Sequence, residues 1–341
     1  MESDNRNHIV IISPGDSFFT DPFKRAFEKW GFECALFNHR QGAVFTNRTL
    51  RLIIRHFPFL RFLKTSRVRK TNRALVRLVR EFRPKYLFAQ KGESIYPETI
   101  EEINKLGVVT IGLFNDMMDH WNVISKIAPA YNYFFTVDGV VLKKLRDELG
   151  LKNCFYMALA TEPMADPFTD RQNKYDISFI GQPGSGHSDR EKLLKSISDL
   201  GLNIWGTVGW VNTPLAPLFR GHSEGTRRLD IYGHSKIVLD TTWDLMPTDF
   251  VSNRAFEAMG CGAMFMTNGT GNTMRDAYID GKEVVLFRDD HELREKVIYY
   301  LAHSTEREAI ARAGYARTVA EHTYDARMKQ MLDTIENPVP T

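Results

Sequence analysis

Cysteine is scarce in this chain of 341 residues: Cys34, Cys154 and Cys261 stand far apart. That spacing excludes a disulfide framework, a CxxC pair and a zinc pattern. It points to a reducing compartment in which the thiols pack as small apolar groups. No apolar run approaches the ~18 residues of a membrane-spanning helix. The polar start Met1-Glu-Ser-Asp-Asn-Arg6 does not read as a signal peptide. A cytoplasmic protein is expected, with any membrane contact peripheral, on the inner face. Neither GxGxxG nor GxxxxGK[ST] occurs, so neither common phosphate loop can be invoked. Acidic residues are missing from a whole segment: none lies between Glu33 and Glu81.

That segment holds twelve of the 45 basic residues, running from Arg40 to Arg80. Without them, 33 basic residues would face 42 acidic ones, so the net charge of +3 hides a mildly acidic protein with one basic insert. Apolar residues make up 43% and charged residues 26%, enough for real cores and against wholesale disorder. The length suits two domains.

Short apolar runs alternate with helical spacings, the pattern of parallel α/β layers. Strands are expected at 9–13, 34–37, 86–89, 108–113, 133–136 and 154–157. A helix is expected to open at Asp21-Pro22, with proline in its first position. The basic segment reads as two helices broken near Pro58. A polar, proline-containing stretch over 161–173 has linker composition. Strands then resume at 177–180, 202–205, 237–239, 263–266 and 284–287. Thr305 and Glu308 have capping-box spacing, and a last helix is expected from about Tyr324.

Two strand-to-helix turns are rich in glycine: Gly181-Gln-Pro-Gly184-Ser-Gly186 and Asn268-Gly269-Thr-Gly271. Such turns let a backbone approach a ligand, and the next helix N-terminus offers N–H groups to phosphate. Tight α/β loops explain them equally well. Between the turns lies Asp249-Phe-Val-Ser-Asn-Arg254-Ala-Phe-Glu257-Ala-Met-Gly-Cys-Gly262. Glu257 falls in a small, apolar helix, where a carboxylate needs hydrogen-bond partners. Ribose hydroxyls would serve, as would a structural ion pair with Arg254 three residues earlier.

These residues resemble the CgeB-like (spore-maturation CgeB) glycosyltransferases, a branch of the GT-B sugar transferases. The likeness rests on Arg254-Ala-Phe-Glu257-Ala-Met-Gly-Cys-Gly262-Ala, Gly281-Lys-Glu283-Val-Val, Asp290-His-Glu-Leu293 and Glu321-His322-Thr323-Tyr324-Asp-Ala-Arg327. Asp176-Ile-Ser-Phe-Ile-Gly181 and Tyr232-Gly-His-Ser-Lys236 also fit. Lys91-Gly-Glu93 and Asn115-Asp116 fit more loosely. The resemblance implies an α/β protein of GT-B architecture, two Rossmann-like domains facing across a cleft. An acceptor domain over 1–160 would carry the basic insert at about 46–82. A nucleotide-sugar donor domain would cover 161–322, and a helix over 323–341 would return to the first domain.

Glu257 matches the second acid of an E-x7-E motif and would hold the donor ribose; the first acidic position falls on Asp249, which is implied to be catalytic. A retaining transfer goes with that motif. Arg190, Lys236 and Arg254 are implied to neutralise the diphosphate, with Gly181, Gly184, Asn268 and Gly269 lining the donor. No two aspartates lie two apart, so the DxD metal motif of the other main glycosyltransferase fold is missing. No metal or cofactor is therefore expected; arginine and lysine can balance the diphosphate of a UDP- or GDP-sugar substrate.

In the first half, Asp116, Asp119 and His120 follow a strand end and could position or deprotonate an acceptor hydroxyl, or the aspartates could cap the next helix. Asp16 lies in another loop expected at the cleft. In the basic segment, Arg61, Arg67, Arg69 and Lys70 are candidates for an acceptor glycan, a glycolipid on an anionic membrane, or another polyanion such as nucleic acid. Helices packed on the sheet with a solvated basic face explain the same pattern. The alternatives are a nucleotide-sugar epimerase or hydrolase on the same fold, and a polyanion- or DNA-binding or DNA-glycosylating protein.

Overall fold

The computed structural model describes residues 7–15, 17–40, 61–116, 118–184, 189–223, 225–241, 249–269 and 271–337, with only the backbone of 17–19 and 61–65. Asp16 and the expected helix break at Pro58 lie outside the described residues. The chain divides into two compact units, one of residues 1–157 with 330–341, the other of 158–329.

The first unit is built on a parallel sheet of order β2-β1-β3-β4-β5-β6. Its strands are β1 (His8–Ser13), β2 (Glu33–Asn38), β3 (Tyr86–Gln90), β4 (Val109–Phe114), β5 (Tyr133–Thr136) and β6 (Cys154–Tyr156). Its helices are α1 (Ser17–Lys29), α2 (Arg61–Phe82), α3 (Pro97–Lys105), α4 (Trp121–Ile127) and α5 (Gly139–Asp147). Ile9 to Ile12 are all fully buried, because helices cover both sheet faces. On one face, Phe23 and Phe27 of α1 pack on Phe88 with ring centroids 5.1 and 5.4 Å apart. On the other, Leu75 and Val79 of α2 join Val10, Ile12, Leu87 and Ala89 in one core. Each such buried side chain contributes roughly 1.5–3 kcal/mol.

The described part of the basic segment is thus a core helix. Arg69, Arg73, Arg77 and Arg80 stay on its exposed face. The first helix begins at Ser17, a turn before the expected start, so Pro22 lies inside it.

The second unit has a parallel sheet of order β11-β10-β9-β7-β8. Its strands are β7 (Tyr175–Gly181), β8 (Leu202–Gly206), β9 (Ser235–Asp240), β10 (Met264–Thr267) and β11 (Val285–Leu286). The helices are α6 (Arg190–Ser196), α7 (Thr226–Gly233), α8 (Asn253–Gly260), α9 (Asn272–Ala277), α10 (Asp290–Ala302) and α11 (Ser304–Glu321). One face buries Ile177, Phe179, Ile237, Leu239, Met264 and Met266; the other buries Ile180, Val238, Phe265 and the apolar side of α8. The expected Thr305–Glu308 capping box does not form. The helix starts two residues earlier than that box implies, at Ser304, and its N-cap is His303, without a side-chain cap bond. The last helix, α12 (Tyr324–Glu336), begins in the second unit, and its residues from Gln330 on belong to the first.

Candidate functional site

In an open parallel sheet, ligands bind beyond the strands' carboxyl ends where the strand order reverses. In the second unit the order reverses between β7 and β9, since β8 lies to one side of β7 and β9 to the other. The residues after those strands converge there. Arg190, only 3% exposed, ties the two strand-end loops together. Its Nε donates to Thr241 Oγ1 (2.7 Å), Nη2 to Thr241 O (2.8 Å) and Nη1 to Gln182 O (2.9 Å). The guanidinium expected on the diphosphate is committed to the scaffold.

Arg254 sits in the first turn of α8, where Ser252 caps the helix by accepting from its backbone N–H. Its Nη1 donates to Asp240 Oδ1 at 2.6 Å. Asp240 is buried while the Arg254 side chain is 29% exposed. Nη2 makes no hydrogen bond among the described residues and lies beside Gly181, 3.6 Å from where a Cβ would stand. A guanidinium anchored on one side and open on the other can bind an anion at the crevice.

Glu257, 3% exposed, accepts from Arg228 Nη2 on α7 at 2.6 Å and from Asn253 Nδ2. The expected Glu257–Arg254 pair is therefore replaced: each residue has its own partner from elsewhere in the chain. Burial raises the Glu257 carboxyl above its ordinary value, and Arg228 opposes that rise. Beside this cluster, Tyr232 Oη and Asn253 Oδ1 are buried without a hydrogen-bond partner among the described residues.

Asp249 does not face an open turn. Its Oδ1 accepts from Thr273 N (3.0 Å) and Thr273 Oγ1 (2.8 Å), so a carboxylate caps α9 where phosphate was expected. A Cβ at Gly271 would stand 2.4 Å from Asp249 Oδ1, so a larger residue there would displace the capping carboxylate. In the same loop Gly269 N donates to Thr267 Oγ1 (3.0 Å), and Asn268 precedes it, half-buried. Gly181 ends β7 and Gly184 follows in its turn, both at the reversal point.

Lys236 is misplaced for the assigned role. It is the second residue of β9, at the amino edge of the sheet, where its Nζ pairs with Asp176 Oδ1 at 2.6 Å. A residue at the start of a strand cannot reach a ligand at that strand's far end.

In the first unit the order reverses between β1 and β3. There Ser13 Oγ lies 2.7 Å from Thr20 Oγ1, which donates to Gln90 Oε1 at 3.2 Å. Next to it, Lys91 Nζ pairs with Asp116 Oδ2 at 2.8 Å, and His120 Nδ1 lies 2.9 Å from Asp119 Oδ1. His120 Nε2 stands 3.9 Å from Asp116. The three expected residues thus come together, with His120 beside both aspartates and Lys91 paired to Asp116. Neither aspartate caps the next helix, whose N-cap is His120 itself, without a side-chain bond.

Arg67, Arg69 and Lys70 are half-buried to exposed along α2; for Arg61, also in α2, the backbone alone is described. Among the described residues no group of three or more His, Cys, Asp and Glu side chains could hold a metal. No described helix is long and apolar enough to cross a membrane.

Residues 190–333 match a family model described as glycosyl transferase-like. No curated protein matches the chain. A glycosyltransferase from Rickettsia africae ESF-5 aligns over 98% of this chain and 99% of its own, at 10% identity and a TM-score of 0.67. Sucrose-phosphate synthase from Thermosynechococcus elongatus aligns over 97% and 98%, at 12% identity and 0.68. The chain has the GT-B fold. Anabaena HepE, solved with UDP and glucose, shares it over 97% and 99% of the two chains, at 11% identity and 0.64. The enzyme class that the sequence suggests, glycosyltransferase, is the class named by the family model and by the Rickettsia africae structure.

Within the GT-B frame, one cluster escapes sequence reasoning. His39, Arg40 and Glu93 gather where β2 and β3 end. Glu93 Oε1 accepts from Arg40 Nη2, and Glu93 Oε2 stands 3.9 Å from His39 Nε2. Burial lowers the His39 pKa to about 4. In the sequence Glu93 shows only within the loosely fitting Lys91-Gly-Glu93 stretch, and His39 only by following the end of an apolar run.

Proposed function

We propose that the protein transfers a sugar from a nucleotide-sugar to an acceptor hydroxyl, with the second unit holding the donor. The observation that carries this reading is the matched segment, 190–333, which contains α8, the helix that brings Arg254 to the reversal point and carries Glu257. In the proposed complex Glu257 accepts the ribose hydroxyls. Tyr232 and Asn253 supply the remaining polar atoms around it. Arg254 faces the diphosphate and stabilises the charge that develops as the leaving group departs. Asp249 shapes the loop 268–271 from behind rather than touching the sugar. Gly181 and Gly184 let the donor approach the backbone.

A uridine donor is favoured because relatives of the same fold are described with UDP, UDP-glucose, or UDP and GlcNAc. A retaining outcome and membership of the CgeB-like branch rest on the motif around Glu257. Asp116, Asp119 and His120 are proposed to meet the acceptor, a glycan, with the open face of α2 as a further contact for an anionic one.

The test is a thermal-shift panel of UDP-, GDP-, dTDP- and CMP-sugars. A UDP-sugar should raise the midpoint, and Glu257→Ala should abolish the shift. No response to any nucleotide-sugar would refute the reading. Conversion of the donor without an acceptor would favour an epimerase or hydrolase.

A further inference from the structure

A polar cavity lies in the second unit, at the amino edge of the sheet, opposite the strand ends beside which Arg254 lies. It has a volume of about 200 Å³ and is lined by Phe168, Arg171, Lys236, Arg307, Glu308 and Arg312, among others. Four cations thus face one lining carboxylate, with Asp176 pairing Lys236 at the rim.

The cations are positioned by the fold. Arg171 Nη1 and Nη2 donate to the carbonyls of Gly262 and Ser235, and its Nε is buried without a hydrogen-bond partner among the described residues. Arg307, 5% exposed, donates through Nη1 to Tyr300 O at 2.6 Å. Its Nη2 stands 4.0 Å from Glu308, too far for a hydrogen bond. The Arg312 guanidinium lies over the Phe168 ring at 4.3 Å and within the electrostatic reach of Asp166, which together place it at the mouth. Two of these arginines are held below their ordinary basicity, by burial first, and Arg307 also repels Arg171. Partly buried like charges raise the energy of the empty cavity, and a bound anion would lower it.

We propose that this cavity is an anion site for the phosphate group, taken either as inorganic phosphate or as a phosphomonoester. The cations outnumber the carboxylates Glu308, Asp176 and Asp166 that face them, and guanidinium forks suit the oxygens of a phosphate. The site is separate from the donor crevice and does not depend on the proposed transferase activity. It is nevertheless wired toward α8: Arg171 bonds the carbonyl of Gly262, two residues past the end of that helix. An anion drawing Arg171 would act on the segment that carries Glu257.

The experiment is isothermal titration of the full chain with inorganic phosphate and, separately, with glycerol 3-phosphate, at constant ionic strength, with and without UDP. Binding of either is expected to persist in saturating UDP. Arg312→Glu should weaken it at least tenfold, and Lys236→Gln should weaken it measurably. Arg288→Glu, an exposed change elsewhere on the unit, should leave it intact. Arg312 is exposed, so its variant keeps the fold, which circular dichroism checks. Tighter binding of the ester would make a phosphorylated metabolite the ligand; tighter binding of phosphate would make it the free ion. The proposal is overturned if neither anion binds, if UDP displaces it, or if Arg312→Glu binds as well as the parent.

Discussion

Replacing Arg228 with methionine isolates the electrostatics of the donor helix. The change keeps most of the side-chain volume and removes the charge. Glu257 would stay 3% exposed, with Asn253 as its remaining hydrogen-bond partner and Arg254 as a nearby charge. Removing one member of a fully buried ion pair costs about 3–5 kcal/mol. The Arg228 side chain is 22% exposed, so solvent already screens part of the attraction. A loss of about 2–3 kcal/mol at pH 7.5 is the expected result.

The sign of the pH dependence follows. Burial holds the Glu257 carboxyl above its ordinary value, and Arg228 is the largest opposing influence. Without Arg228 the pKa rises further, so the folded variant takes up a proton more readily than the unfolded chain. The penalty is therefore full at neutral pH and shrinks as the pH falls toward the raised value. Urea unfolding at pH 7.5 and pH 5.0 reads both quantities, with the buried Trp205 and Trp210 reporting on this unit. Adding Glu257→Leu to the variant should recover much of the loss, because no unpaired carboxylate remains. A destabilisation under 1 kcal/mol, or one that does not change with pH, would refute the reasoning.

Two further predictions concern the same unit. His322 accepts from Arg327 Nη2 at 2.8 Å through Nδ1, which leaves Nε2–H to donate to Ala277 O at 3.3 Å. Burial and then Arg327 lower its pKa to about 4. The unfolded chain therefore protonates first on acidification: stability is full above pH ~6.5 and falls by about 3 kcal/mol by pH 4. NMR titration of the ring should give a pKa near 4, and a value near 6.5 would contradict the assignment. Gly206→Ala should cost about 3 kcal/mol or more in urea unfolding, since φ is +146° and a Cβ would stand 1.9 Å from the Gly181 carbonyl oxygen. A neutral result would mean that the β7–β8 contact can open.

Local patterns in the chain determine the strands. The parallel run Ile9–Ile12 and the helical spacing of Phe23 and Phe27 are visible because burial imposes a period on neighbouring residues. Helix starts are less visible: Pro22 and Thr305 carry start signals, yet the helices begin earlier, where packing selects the start. The importance of Glu257 also shows in the sequence, because a carboxylate in a small, apolar helix stands out whatever its partner. Its partner does not show. Local spacing offers Arg254, but the fold supplies Arg228 from α7 and gives Arg254 to Asp240, because α7 packs beside α8 and β9 ends next to the first turn of α8. Lys236 and Arg190 carry the same lesson. A charge in a matching motif says nothing of which end of a strand it occupies or whether backbone carbonyls already use its donors. The scarcity of cysteine and of acid in one segment is a property of composition; the cavity around Arg307 and the His39–Glu93 pair exist only where the two sheets gather residues remote in sequence.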